Sequence, residues 1–238
     1  MNGLIGILGV IGLLVVGGGL LGRLLPGRIS WCWLLIAAGL VLLNDLLLTN
    51  VYGLIPDLIP GGTWNWQGKA LALLASLAVA ALPGFGFRAS GLNFEQAAGS
   101  LKSALPVAGV YVGLFLALAL AFPNEAATPE TIAFQLTMPG LEEEIFYRGV
   151  VLAALGRAFE GRVRILGVDW GLGAVLSCAL FGLAHAFGYS EGGFTFDPLT
   201  MALTALPSLI AVWLVLKTRS LALPVLLHNF GNAVMLLI

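Results

Sequence analysis

Long apolar runs alternate with short polar connections along the chain, and the runs have the length that crosses a bilayer. Gly3 to Gly22 carries no charge, Trp31 to Leu48 is interrupted only late, by Asn44 and Asp45, and Ser103 to Phe122 is again charge-free. A hydrocarbon core of about 30 Å takes about 20 helical residues. Further runs start at Ala70, about Thr131, about Gly171, Pro198 and Leu221, so the pattern predicts an all-α polytopic membrane protein of about eight transmembrane helices. One integral domain over residues 1–238 follows, with no separate soluble domain.

The connections carry their own signals. Glycines at 3, 6, 9 and 12 and the Gly17-Gly18-Gly19 run predict a stripe that a neighbouring helix can approach closely. Pro56, Pro60, Trp64 and Trp66 mark residues 50–66 as an interfacial loop with aromatic anchors. Gly91 to Lys102 reads as a short surface helix capped by Asn93. Pro123 to Glu130 reads as the polar exit of the fourth run, and Pro139-Gly140 predicts a kink in the fifth.

Composition sharpens this picture. Hydrophobic residues make up 59% of the chain and charged ones 10%, against about 25% charged in soluble domains. A net charge of −1 gives no case for nucleic acid. Cys32 and Cys178 both lie in apolar runs and are expected to be small buried hydrophobes. The first run lacks a positive leader and a cleavage site and is expected to be retained. Nine of the 11 basic residues, Arg23, Arg28, Arg88, Lys102, Arg157, Arg162, Arg164, Lys217 and Arg219, fall in odd-numbered connections. The even ones hold Asp57, Glu125, Glu130, Glu191 and Asp197, with Lys69 as the exception at the mouth of the third run. The positive-inside rule then puts both termini outside the cytoplasm, in an expected bacterial plasma membrane.

Against this background Glu142-Glu143-Glu144 and Arg148 stand out inside a spanning segment, where each charge costs about 2.5–3.5 kcal/mol. Glu144 and Arg148 are four residues apart, acid first, which suits an intrahelical ion pair. Glu143 is rotated about 100° away, lacks a partner on its own helix, and is expected to face a cavity as a general base. Glu142 has no assigned role. The only two histidines, His185 and His228, fall late in apolar runs, with Phe181 and Asn232 on their respective faces. Taken singly, each histidine is better explained as a packed core residue, the Glu144 to Arg148 pair as structural, and Asn44 and Asp45 as polar packing.

Together, Glu143, Glu144 and Arg148, then Phe181 and His185, then His228 and Asn232 resemble the three motifs of the CAAX protease and bacteriocin-processing (CPBP) family of intramembrane endopeptidases, which includes the type 2 CAAX prenyl endopeptidases. The resemblance covers about residues 131–238. It implies proteolysis of a peptide or membrane-anchored protein, with Glu143 and His185 activating water, His228 and Asn232 stabilising the oxyanion, and Glu144, Arg148 and Phe181 supporting them. No cofactor is expected. The alternative is a zinc enzyme with Glu143, His185 and His228 as ligands, although His-Glu-x-x-His is absent. Competing functions are a non-proteolytic immunity or scaffold protein and a proton-coupled transporter, which tends to show related halves; here the polar residues are concentrated in one half.

Overall fold

A computed structural model describes residues 2–122 and 127–238, so Glu125 and the start of the expected polar exit lie outside the described residues. The chain folds into helices with two small hairpins. Helix α1, Asn2–Leu24, and α2, Trp31–Thr49, are followed by α3, Trp66–Ala81, and α4, Leu101–Ala121. Short α5, Pro129–Gln135, leads into α6, which runs over residues 138–158 as Met138–Glu143, a widened π-helical stretch Glu144–Val151, and Leu152–Ala158. Strands β1, Val163–Ile165, and β2, Val168–Trp170, form one antiparallel hairpin. Helix α7, Leu172–Ala186, leads into the second, β3, Phe187–Ser190, with β4, Gly193–Phe196. Helices α8, Pro198–Thr218, and α9, Ala222–Leu237, complete the bundle. Every expected run is helical. Four of them, α1, α2, α4 and α8, are long and apolar enough to cross a membrane, and α3, α7 and α9 are shorter apolar helices. The protein is an integral membrane protein.

Helix α6 is the axis of the bundle. All eight residues from Glu144 to Val151 are buried, as expected of a helix covered on every side. It packs on α2, α3, α7 and α9, and Val150, Val151, Ala154, Leu155 and Ala158 join Leu34 and Ala37 in the largest apolar cluster. The wide turn disturbs the regular backbone ladder, and the Ser177 hydroxyl donates to the Tyr147 carbonyl at 2.7 Å. Such π-helical stretches are rare and recur at functional sites.

Several expectations need correction. No surface helix forms over Gly91 to Lys102; the segment before α4 is a series of turns pinned to the α8–α9 corner. There the Asn93 amide donates to the Arg219 carbonyl at 2.9 Å, and Ser220 Oγ donates to the Asn93 carbonyl at 2.6 Å. These long-range bonds replace the helix cap that Asn93 suggested. The glycine stripe of α1 admits a hairpin as well as helices: a Cβ on Gly9 would stand 2.8 Å from the Phe194 ring, while Gly3, Gly12 and Gly17 face open space. Cys178 is buried, but Cys32 is exposed on the outer face of α2. The hairpins themselves were not expected, because three- and four-residue strands leave little periodicity to read.

The helices alternate in direction, which sorts the connections into two ends. At one end the loop before α3 meets α5, and the β3 backbone meets the start of α1 at Gly6. At the other, Ser30 bonds Ala158, Gly91 bonds Leu221 and Trp213 bonds Leu166. The nine basic residues of the odd connections gather at this second end.

Candidate active site

The break before α6 sets the geometry. The chain turns at Leu136 and Thr137, and Pro139 takes the first turn of the new helix, where its missing N–H costs nothing. Gly140 donates its free N–H to Asn229 Oδ1 on α9 at 2.7 Å. A side chain at Gly140 would collide with the Asn229 amide and the Val225 carbonyl, so glycine is what lets α6 start against α9. The acidic run then faces three directions.

Glu144 turns inward. Its Oε1 lies 3.2 Å from Arg148 Nη1 and accepts from His228 Nδ1 at 2.7 Å. Arg148 also donates from Nη2 to Ser208 Oγ on α8 at 2.7 Å and lies 4.1 Å over the Phe181 ring. Glu144 and Arg148 are 1% and 2% exposed, so the pair, read correctly from its spacing, is buried. It holds His228 by one nitrogen and turns the other, Nε2, to Glu143 Oε2 at 3.6 Å.

Glu143 faces the cavity as expected, but it has a partner from elsewhere in the chain. Lys69 Nζ, from the first turn of α3, lies 2.6 Å from Glu143 Oε1 and 2.6 Å from Glu142 Oε2. Glu142, left without a role by the sequence, is fully buried on this ammonium and lies beside Asn44 of α2. Asp45 is not drawn in; it accepts from Thr49 one helical turn on. The signal for Lys69 was present in the sequence as the one basic residue at the wrong end of the molecule.

His185 holds its Nδ1–H on the Phe181 carbonyl at 2.8 Å, with the two rings 4.7 Å apart. The histidine in ion-pair range of Glu143 is His228. Asn232 Nδ2 donates to Gln135 Oε1 at 3.0 Å. Gln135, at the helix break, carried no sequence signal beyond its polarity. Glu143, Glu144, Arg148, Phe181, His185, His228 and Asn232 all line one cavity of about 640 Å³. Its other walls are mostly apolar, with Tyr111, Phe115, Phe134, Leu203 and Met235, and also carry Asn65, Lys69, Gln135, Thr204 and Ser208. It opens toward the end opposite the basic cluster, under Trp64 of the α2–α3 loop.

Zinc in a catalytic site takes three protein ligands. Among the described residues no three His, Cys, Asp or Glu side chains are grouped to hold a metal ion. In the set Glu143, His185 and His228, Glu143 Oε1 is engaged by an ammonium and His185 Nδ1 by a backbone carbonyl, which leaves Glu143 Oε2 and His185 Nε2 to face the cavity.

No curated protein and no solved structure matches the chain. Residues 123–234 match the family model described as Type II CAAX prenyl endopeptidase Rce1-like. The matched span, just under half of the chain, runs from the α4 exit into α9 and holds all three motifs, so this part of the chain is similar to the type II CAAX prenyl endopeptidases.

Proposed function

We propose that the protein is a glutamate-type intramembrane endopeptidase that cleaves a peptide or membrane-anchored protein, prenylated substrates included. The observation that carries it is the convergence of Glu143, both histidines and Asn232 on one mostly apolar cavity. In this reading a water held between Glu143 and His185 Nε2 gives its proton to Glu143 Oε2 and attacks the scissile carbonyl. His185 can hold that water because its Nδ1–H is spent on the Phe181 carbonyl. His228 in its imidazolium form and the second N–H of the Asn232 amide donate to the oxyanion that develops. Glu144 and Arg148 hold His228 in place, and the proton taken by Glu143 passes to the leaving amine. Charge develops inside a mostly apolar cavity, where preorganised donors act strongly.

The mechanism is metal-free, which the engagement of Glu143 by Lys69 supports. The site is reached from the extracytoplasmic side if the basic end is cytoplasmic. Glu143→Gln should lower cleavage of the host membrane proteome by about 10²–10⁴-fold, the range of a lost general base. An unchanged cleavage pattern in that variant would end the proteolytic reading. Purified protein should stay active after exhaustive chelation; activity lost and restored by zinc would replace the mechanism with a metal one.

A further inference from the structure

We propose that Lys69 is a positioning residue for Glu143, carried into the site by a helix that lies outside the family match. The inference rests on the proteolytic reading. Lys69 belongs to α3, in the half of the chain that holds none of the three motifs, yet its ammonium stands 2.6 Å from each of two neighbouring carboxylates of α6. Glu142 and Glu143 leave α6 about 100° apart and converge on one nitrogen, which a compact ammonium with three N–H donors allows and a planar guanidinium would not. All three side chains are nearly closed to solvent, Lys69 and Glu143 at 14% exposed and Glu142 at 0%.

The consequence lies in which oxygen of Glu143 remains available. Lys69 occupies Oε1, and the other oxygen, Oε2, is the one turned toward His228 Nε2. A carboxylate free to rotate would present either oxygen in many directions; held at Oε1, it presents Oε2 to the water in one. Lys69 keeps its own proton throughout: the water proton goes to Oε2 and the new C–O bond forms as the carbonyl π pair moves onto oxygen; that pair then reforms the carbonyl as the C–N bond breaks, and Oε2 gives the proton to the leaving amine. Lys69 thus ties the acidic run of α6 to α3, and the catalytic constellation is complete only when both halves of the chain are packed together.

A purely structural role has to be separated from this one, because Lys69 also neutralises the fully buried Glu142. Lys69→Met alone would strand that charge and can unfold the protein. The informative variant is Lys69→Met combined with Glu142→Gln, which removes the buried carboxylate along with its cation. The probe is a membrane-protein fragment that the wild type cleaves and Glu143→Gln does not, compared in detergent with Glu142→Gln as the reference. Positioning predicts a kcat about 100-fold below that of Glu142→Gln, the scale of a misplaced reacting group, with KM within a few-fold. A kcat equal to that of Glu142→Gln would show that Lys69 only balances charge, and would overturn the proposal. Failure of the proteolytic reading looks different: Glu143→Gln would then cleave like the wild type, and no such probe would exist.

Discussion

The acidic run of α6 feeds two ion systems that differ in origin. The inner one, Glu144 with Arg148 and His228, is assembled from motif residues on α6 and α9, and Glu144 and Arg148 sit one turn apart on the same helix. The outer one, Glu142 and Glu143 with Lys69, joins residues 73 and 74 positions apart. The inner pair forms as soon as α6 is helical, and its work is to fix a histidine. The outer pair forms only when α3 is packed on α6, and its work is to fix the carboxylate itself. Local charge pairing serves as scaffold here, and long-range pairing completes the site.

The largest expected effect breaks the inner system. Arg148→Met leaves the Glu144 carboxylate buried at 1% exposure without its guanidinium, and loss of one partner of a buried pair costs about 3–5 kcal/mol. The variant should unfold at markedly lower temperature in detergent and lose activity with it. Arg148→Met combined with Glu144→Gln should recover much of the stability but not the activity, because the carboxylate that anchors His228 is gone. A double variant as unstable as the single one would show that Arg148 acts through Phe181 and Ser208 instead of through Glu144.

This contrast also explains what could be read from the sequence. Helical periodicity showed the apolar runs, the Glu144 to Arg148 pair and the shared faces of Phe181 with His185 and of His228 with Asn232, since all of these depend on spacing along one helix. Lys69 was visible only as an anomaly in the distribution of basic residues, because its partners lie on a helix far along the chain. Gln135, on the helix break, showed nothing except polarity. The supposed helix at Gly91 to Lys102 failed for the reverse reason: Asn93 resembles a local cap, but its amide is used on Arg219, 126 positions away. Local rules found the motifs; the contacts that turn them into a cavity are tertiary.

A smaller effect tests how the two systems are held at a common height. Gly140 lets α6 begin against α9, with its N–H on Asn229. Gly140→Ala would set a methyl group into the Val225 carbonyl and the Asn229 amide, and overpacking of this kind costs about 1–3 kcal/mol. Because backbone has to move, the start of α6 should tilt away from α9, carrying Glu143 from His228. Thermal stability should fall moderately and kcat should fall further than the stability loss explains when both are measured below the unfolding transition. Equal kcat with lowered stability would mean that the acidic run keeps its register independently of this contact.

The smallest effect lies at the cavity mouth, outside the membrane-spanning segments, where a fourth carboxylate is held by neutral donors alone. Glu130 accepts from the Thr63 and Trp64 backbone N–H groups at 3.0 and 3.3 Å and from the Trp66 indole at 3.1 Å, while Trp64 stacks on Phe134 at 4.8 Å. The Thr63 backbone N–H, more than any other neighbour, holds the Glu130 carboxyl below its usual value of 4.5. A depressed value means that the carboxylate stabilises the clamp above the unfolded value and that this contribution is lost as pH falls through the folded one. The clamp should therefore be intact near neutral pH and loosen only below about pH 4.5. Tryptophan fluorescence should report this as an acid transition as Trp64 leaves Phe134. Glu130→Gln should remove the transition and resemble the acid form at neutral pH, with cleavage at saturating substrate little changed, since Glu130 touches none of the cavity residues that carry the chemistry. A transition that persists unchanged in Glu130→Gln would assign it to another acid, and the mouth of the cavity would then be held by the Trp64 to Phe134 stack alone.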